Sequence, residues 1–216
     1  ATVLMLIFKD SILGLVAGIQ LSLNKMLKVG DWITIKKLDI DGNVEEISLT
    51  TVKVRNFDNT ISTIPPYTLV SDTFQNWNAM VTTGARRIKR TLYIDVQSIR
   101  SLSLPEIEAL IAEKLLSQKD ITNNTNINLT LYRHHLSELF KKDKDIVQDQ
   151  WILVRQLNPT PNGLPLEIWL YTNNTNFVDY EEVAASRIES MIALLPTFHL
   201  QMFQSPTSSD FHNIKP

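Results

Sequence analysis

Hydrophobic and polar positions change rhythm twice along the chain. Residues 1–8, ATVLMLIF, are almost wholly apolar and stop at Lys9 and Asp10, after which the apolar run resumes as SILGLVAGIQLSL. A membrane-crossing helix takes about 20 consecutive apolar residues, so neither half spans a bilayer alone. In the second half Gly14 and Gly18, with Ala17 beside them, form a small-residue face at a spacing that lets helix backbones approach. That face is expected to meet a neighbouring helix. Ile12, Leu15, Ile19, Leu23 and Met26 recur at helical spacing on another side, while Gln20, Asn24, Lys25 and Lys28 gather toward the polar end. Periodicity leaves two readings open, an amphipathic helix docked on a globular core and a helix with a membrane role. Residues 1–8 lack the basic region and cleavage pattern of a signal peptide and read as the tail of a longer apolar helix, so the chain is expected to be a fragment.

From Gly30 the period shortens to that of strands: DWITIKKL, then VEEISLTTVKVRNF, then TISTIPPY and FQNW. Asp41-Gly42-Asn43 and Asp58-Asn59 have hairpin chemistry, because these residue types tolerate positive φ, and Pro65-Pro66 cannot donate to a ladder. Four or five strands in so short a stretch predict a small barrel. After residue 85 the order is strand (RRIKRTLYIDV), helix (PEIEALIAEKLLSQ, with Pro105 in its first turn), paired strands (WILVRQL, PLEIWLYTN), a helix from about Tyr180 to Pro196, and a short strand in FHLQMF. This βαββαβ order predicts an α+β, ferredoxin-like sandwich. Residues 118–150 read as a polar, charged insertion whose second half is an exposed helix, with Leu131, Leu136, Leu139 and Phe140 on one side and the KKDKD run in solvent. The changes of pattern divide the chain into residues 1–28, 29–82 and 83–216.

With 216 residues and 44% hydrophobic content, the chain can bury a real core. It has no cysteine, which excludes disulfides, thiol nucleophiles and cysteine zinc sites. His134 and His135 are adjacent and cannot easily share one metal, whereas His134 and Glu138, four apart on a helix, could, and no further ligand set sits at usable spacing. There is no nucleophile elbow, P-loop or dinucleotide fingerprint, so the chain is read as a non-enzyme without cofactor or metal. Arg86, Arg87, Lys89 and Arg90 form the densest basic cluster; with Lys53 and Arg55, beside Phe57 and Trp77, they make a candidate phosphate patch. A net charge of −2 weighs against nucleic acid, and solvated strand faces account for the cluster equally well. Lys25, Lys28, Lys36 and Lys37 follow the apolar helix, where cytoplasmic charge is expected if that helix meets a membrane. The sequons at Asn123, Asn128 and Asn173 read as polar loop composition.

GLVAGIQLSLNKMLKVGDWITI, DGNVEEISLTTVKVRNFDNTISTIPPYTL and FQNWN together resemble the small-conductance mechanosensitive channel (MscS-like) family. RRIKRTLYIDV, TPNGLPLEIWLYTNN and YEEV extend the resemblance to its YbdG-type miniconductance branch. The resemblance implies a membrane pore helix followed by a small all-β, Sm-like barrel and an α+β ferredoxin-like domain. It implies a homoheptamer in the bacterial inner membrane, with both later domains in the cytoplasm, that passes ions and small osmolytes when membrane tension opens it. Membrane lipid and copies of the chain are then its partners, and nucleic acid is not. Counting back from LVAGI places Leu6 and Thr2 at the family's apolar seal, with Met5 competing for Thr2, which departs from the apolar pattern. A ring of leucines blocks ions by dewetting. Lys9 and Asp10 become the junction between two helix halves, Asp10 standing where the family has a kink glycine, and Gly14, Ala17 and Gly18 the helix-packing face. Pro66 departs from the asparagine common in the family. The competing reading is a ring-forming, Sm-like nucleic-acid-binding protein, which has no use for an apolar, GxxxG-bearing helix.

Overall fold

A computed structural model describes residues 2–117 and 126–205, with side chains from Lys9 onward except those of Asp10, Ser11 and Ser22. The chain separates into two compact units, residues 1–83 and 84–216.

The first unit opens with α1, Thr2–Leu23, one helix that runs unbroken through Lys9 and Asp10 where two halves were expected to join. No proline interrupts it, and two internal glycines cost only about 1 kcal/mol each without breaking a helix. The chain leaves the helix at Lys25, in the left-handed region at φ 51°, and enters β1 (Trp32–Ile35), β2 (Ile40–Ile47), β3 (Val52–Asn56) and β4 (Ile61–Ile64). Helix α2 (Pro66–Ser71), β5 (Gln75–Asn76) and helix α3 (Asn78–Thr83) complete the unit. The strands form one antiparallel sheet in the order β4-β3-β2-β1-β5. β4 and β5 are its two edges, so five strands are present as expected, without a ladder that closes on itself among the described residues.

Two turn expectations divide sharply. Asp58-Asn59 does make the β3–β4 turn: Asn59 takes φ 69°, and Asp58 Oδ1 accepts from Thr60 N at 2.9 Å and Thr60 Oγ1 at 2.7 Å. Asp41-Gly42-Asn43 instead lies inside β2, paired with Thr34, Ile33 and Trp32 of β1. The reversal between β1 and β2 is made upstream, by a short 3-10 turn over Lys36–Leu38 with Asp39 at φ 53°. Pro66 does not extend a strand; it occupies the first turn of α2, where its missing N–H costs nothing. Leu21, Leu27, Ile33, Ile35, Ile40, Val44, Val52, Val54, Ile64 and Leu69 form the core of this unit. Alternating buried and exposed positions in β2 account for the strand contribution.

The second unit holds β6 (Arg86–Ile94), helix α4 (Leu104–Ala112), helix α5 (Asn128–Lys141), β7 (Leu153–Gln156), β8 (Leu164–Thr172) and helix α6 (Phe177–Leu194). Its sheet has the order β6-β8-β7, antiparallel throughout. The strand expected in FHLQMF is an isolated bridge, Met202 opposite Ile94 at the free edge of β6. Helix α6 starts earlier than expected because Asn176 Oδ1 caps it, accepting from Val178 N at 2.9 Å.

Helix α5 corrects the reading of residues 118–150 as an exposed insertion. It buries Leu129, Leu131, Tyr132, Leu136 and Phe140 in the core, and Tyr132 Oη donates to the Met191 carbonyl at 2.6 Å. Asn128 is not loop composition either. It is fully buried, accepts from Arg100 N at 3.0 Å and donates to the Ser98 carbonyl at 2.9 Å, joining two segments. Asn123 lies outside the described residues.

Glu106 organises the start of α4. It accepts from Ser103 N at 2.8 Å, Ser103 Oγ at 2.7 Å and the Arg100 guanidinium, and these partners, Arg100 foremost, hold its carboxyl far below the usual range. A depressed folded-state pKa stabilises fully above the unfolded-state value, about 4.3 for glutamate, and is lost as pH falls through the folded value. Glu106→Gln should therefore lower the melting midpoint at pH 7, and the gap to the unaltered protein should shrink below about pH 4. A gap independent of pH would show that the carboxylate charge is not what these partners stabilise.

Candidate functional site

Helix α1 presents two faces of opposite fate. Ala17 and Leu21 are buried, 2% and 1% exposed, and the latter joins the β-sheet core. Gly18 lies against the backbone of Leu49 in the β2–β3 turn: a Cβ there would stand 2.6 Å from the Leu49 carbonyl oxygen. At Gly14 a Cβ would meet nothing within 4 Å. The small-residue face, read as a contact for a neighbouring helix, is thus used at Gly18 by this chain's own sheet. Leu49 carries no signal in the sequence that would have paired it with Gly18.

The other face is apolar and open. Ile12, Leu15, Val16, Ile19, Leu23 and Met26 are between 41% and 76% exposed, and all but Val16 are the helical stripe legible in the sequence. Five large apolar side chains on one face of α1, Ile12, Leu15, Val16, Ile19 and Leu23, with Met26 just past its end, make a surface that water does not favour, the mark of an interaction site. Lys9 is exposed at its upstream end. The side chains of Thr2, Met5, Leu6 and Asp10 lie outside the described residues. Among the described residues no helix is long and apolar enough to cross a membrane.

Where α1 ends, a polar clasp fixes it to the sheet. Asp31, 8% exposed, accepts from Lys28 N at 3.0 Å and from Asn76 Nδ2 at 2.9 Å, and the same amide nitrogen reaches the Met26 carbonyl at 3.2 Å. Gly30 N donates to the Val44 carbonyl at 2.8 Å. The helix exit, β1, β2 and β5 are thereby held as one piece. Next to it Trp32 and Trp77 stack at 4.8 Å, with Phe57 edge-on to Trp32 at 5.4 Å; the indole nitrogens donate to Asp41 and Thr34.

Several residues of the candidate phosphate patch have partners within their own unit. Lys53 pairs with Glu46 and Arg55 with Glu45, each at 2.6 Å. Arg86 points inward, donates to the Thr175 carbonyl at 3.1 Å and lies 3.8 Å over the Tyr180 ring; burial pushes its pKa down. Arg90 pairs with Glu181 at 2.9 Å. Lys37 pairs with Asp72 at 2.7 Å, while Lys25, Lys28 and Lys36 are exposed. Among the described residues no three His, Asp or Glu side chains are grouped to hold a metal ion.

The first unit is similar to known proteins. Residues 10–79, from the middle of α1 to the start of α3, match the family model for the mechanosensitive ion channel β-domain. This segment is similar to the mechanosensitive-channel β domain. Similarity to MscS-family proteins reaches past it. The chain is 25% identical over 175 residues to an uncharacterized MscS family protein of Aquifex aeolicus, covering 81% of this chain and 39% of that protein. It is 28% identical over 135 residues to the small-conductance mechanosensitive channel MscMJ of Methanocaldococcus jannaschii, covering 62% of this chain and 35% of that channel. The chain thus spans under two fifths of the length of these curated relatives. Among solved structures, Arabidopsis thaliana MSL1 superposes with a TM-score of 0.69 at 10% identity, over 94% of this chain and 62% of that one. The closed-state Helicobacter pylori MscS does so with 0.65 at 16% identity, over 96% and 68%. At such identities the likeness concerns the fold, which both units share with those channels. The clasp, the docked face of α1 and the β domain's core all fall within residues 10–79; the open apolar face is continuous with them.

Proposed function

We propose that the chain is part of a subunit of an MscS-like channel of the YbdG type, opened by membrane tension. It assembles as a homoheptamer in the bacterial inner membrane, holds its β and α/β domains in the cytoplasm, and passes ions and small osmolytes during hypo-osmotic stress, without cofactor or catalytic step. The observation that carries this reading is the open apolar face of α1, joined through the Asp31–Asn76 clasp to a sheet similar to the mechanosensitive-channel β domain. Lipid and the α1 helices of other copies are the surroundings such a face prefers. Tension favours the state of larger membrane area, so no ligand is needed to shift the equilibrium.

On this reading Leu6 forms the dewetting seal, with Thr2 and Met5 one turn or less away, and Asp10 is paired or wet because an isolated charge beside lipid is costly. The test is current from the protein, expressed from its complete reading frame, in liposome patches under a suction ramp. Stepwise currents that rise with tension and vanish on release are expected. Leu6→Ser should hydrate the seal and lower the threshold tension. Verified incorporation with silence up to patch rupture would count against the channel; an unchanged or higher threshold in the variant would remove Leu6 from the seal.

A further inference from the structure

The three-stranded sheet of the second unit buries one face and leaves the other open. Ile88, Leu92, Val154, Leu166, Ile168 and Leu170 point into the core. On the opposite face stand Arg87 and Lys89 of β6, Arg155 of β7, and Glu167, Trp169 and Tyr171 of β8. Trp169 lies at the centre: the Arg87 and Arg155 guanidinium carbons are 4.7 and 5.4 Å from its ring centroid, and Lys89 Nζ is 5.5 Å away. Trp151, 69% exposed, sets its ring 6.5 Å from that of Trp169. Glu167, whose side chain is 4% exposed, takes Arg155 at 2.6 Å and Lys89 at 3.5 Å. Three cations against one carboxylate leave the face positive. Exposed Trp151, half-buried Trp169 and Tyr171, and arginines gathered on a sheet face match the make-up of protein interfaces.

The same unit carries a surface of opposite character. Helix α6 turns Tyr180, Val183, Ala184 and Met191 to the core. Its outward side carries Phe177 and Val178, 62% and 72% exposed, followed by Asp179, Glu182 and Glu189. The helix's one further charge of positive sign, Arg187, is bound to Asp143 at 2.6 Å and Asp145 at 2.8 Å and does not offset them. An apolar tip with carboxylates behind it complements an aromatic face studded with cations. The two surfaces lie on different elements, one on the sheet and one on a helix packed against the core, so they meet only between copies, head to tail. Contacts of that kind generate closed rings when the rotation permits.

We propose that the open sheet face of one copy receives the outward side of α6 from the next, with Phe177 and Val178 against Trp151 and Trp169 and the Asp179 and Glu182 carboxylates against Arg87 and Lys89. This rests on the ring assembly of the preceding section and assigns it a contact. The 216 residues contain no cysteine, so paired cysteines report the contact directly. Leu153 and Val178 are 40% and 72% exposed, and replacement of both leaves the core intact. Oxidation of the detergent-solubilised double variant Leu153→Cys, Val178→Cys should produce a ladder of bands beyond the dimer, and neither single variant should cross-link. Arg87→Glu in that background should abolish the ladder, and adding Glu182→Arg should restore it. An oligomer intact by native mass spectrometry without a ladder would overturn the contact, as would dimers from Leu153→Cys alone, which indicate a two-fold interface. A monomeric mass for the unaltered protein would remove the ring itself; suction-evoked currents from the same preparation decide the channel reading separately.

Discussion

Replacing Gly42 with alanine is expected to destabilise the β domain by about 3 kcal/mol, the upper end of the range for overpacking. Gly42 faces the core between Ile40 and Val44 on β2. The Arg55–Asn56 backbone of β3 occupies the space a side chain would take: a Cβ would lie 2.0 Å from the Arg55 carbonyl oxygen and 2.6 Å from the Asn56 Cα. Neither neighbour is the tip of a flexible side chain, so relief requires β3 to move. β3 pairs with both β2 and β4 and supplies Val52 and Val54, each 0% exposed, to the core, so its displacement costs packing on both sides. A drop in the thermal midpoint on the order of 10 °C is expected for a unit of this size. A midpoint within a degree of the unaltered protein would mean that β3 yields freely at Arg55 and that this strand crossing is not tight.

Gly18→Ala is expected to loosen the docking of α1, whereas Gly14→Ala should not. Both substitutions raise intrinsic helix propensity by about 1 kcal/mol. At Gly14 nothing opposes that gain. At Gly18 the new methyl group meets the Leu49 carbonyl oxygen at 2.6 Å and the Leu49 carbonyl carbon at 3.2 Å, backbone atoms of a turn fixed by reciprocal Ser48–Thr51 hydrogen bonds. Overpacking of this kind costs about 1–3 kcal/mol and exceeds the propensity gain. Thermal midpoints should therefore move in opposite directions, up for Gly14→Ala and down for Gly18→Ala. On the proposed channel reading, the Gly18 variant should also shift threshold tension in patch recordings, because it changes the contact between α1 and the β2–β3 turn. If both variants melt alike, the Leu49 turn gives way and α1 is held by Leu21 and the Asp31 clasp instead.

The clasp and the Gly18 contact together give the proposed mechanism a physical route. On that proposal, a displacement of α1 would load Leu49 through Gly18, and the helix exit would pull on β5 through Asp31 and Asn76. Both contacts are short-range and polar or steric, so they transmit force only while formed.

Much of this was legible along the chain because it depends on neighbours in sequence. The apolar stripe of α1 follows from a 3.6-residue period, and Ile12, Leu15, Ile19 and Leu23 are exposed together as one face, whereas Met26, expected to extend it, lies exposed beyond the end of the helix. Asp58-Asn59 turns as its chemistry dictates, since positive φ and an Asx hydrogen bond involve residues one or two apart. The strand runs of the β domain and the α+β order after residue 85 rest on the same local alternation. Partners distant in sequence decided the rest. Asp41-Gly42-Asn43 has the composition of a turn, yet pairing with β1 on one side and β3 on the other draws it into a strand, and its glycine serves close approach instead. Helix α5 looks exposed because charged residues follow it, but burial is set by which side meets the sheet, and Leu129, Tyr132, Leu136 and Phe140 do. The basic run at 86–90 reads as one patch, but folding divides it: Arg86 turns inward, Arg90 pairs with Glu181, and Arg87 and Lys89 stay on the open sheet face with Glu167. Composition predicts that charges need partners; which partners, and which glycine touches which backbone, follows only from contacts that folding makes between residues the sequence keeps apart.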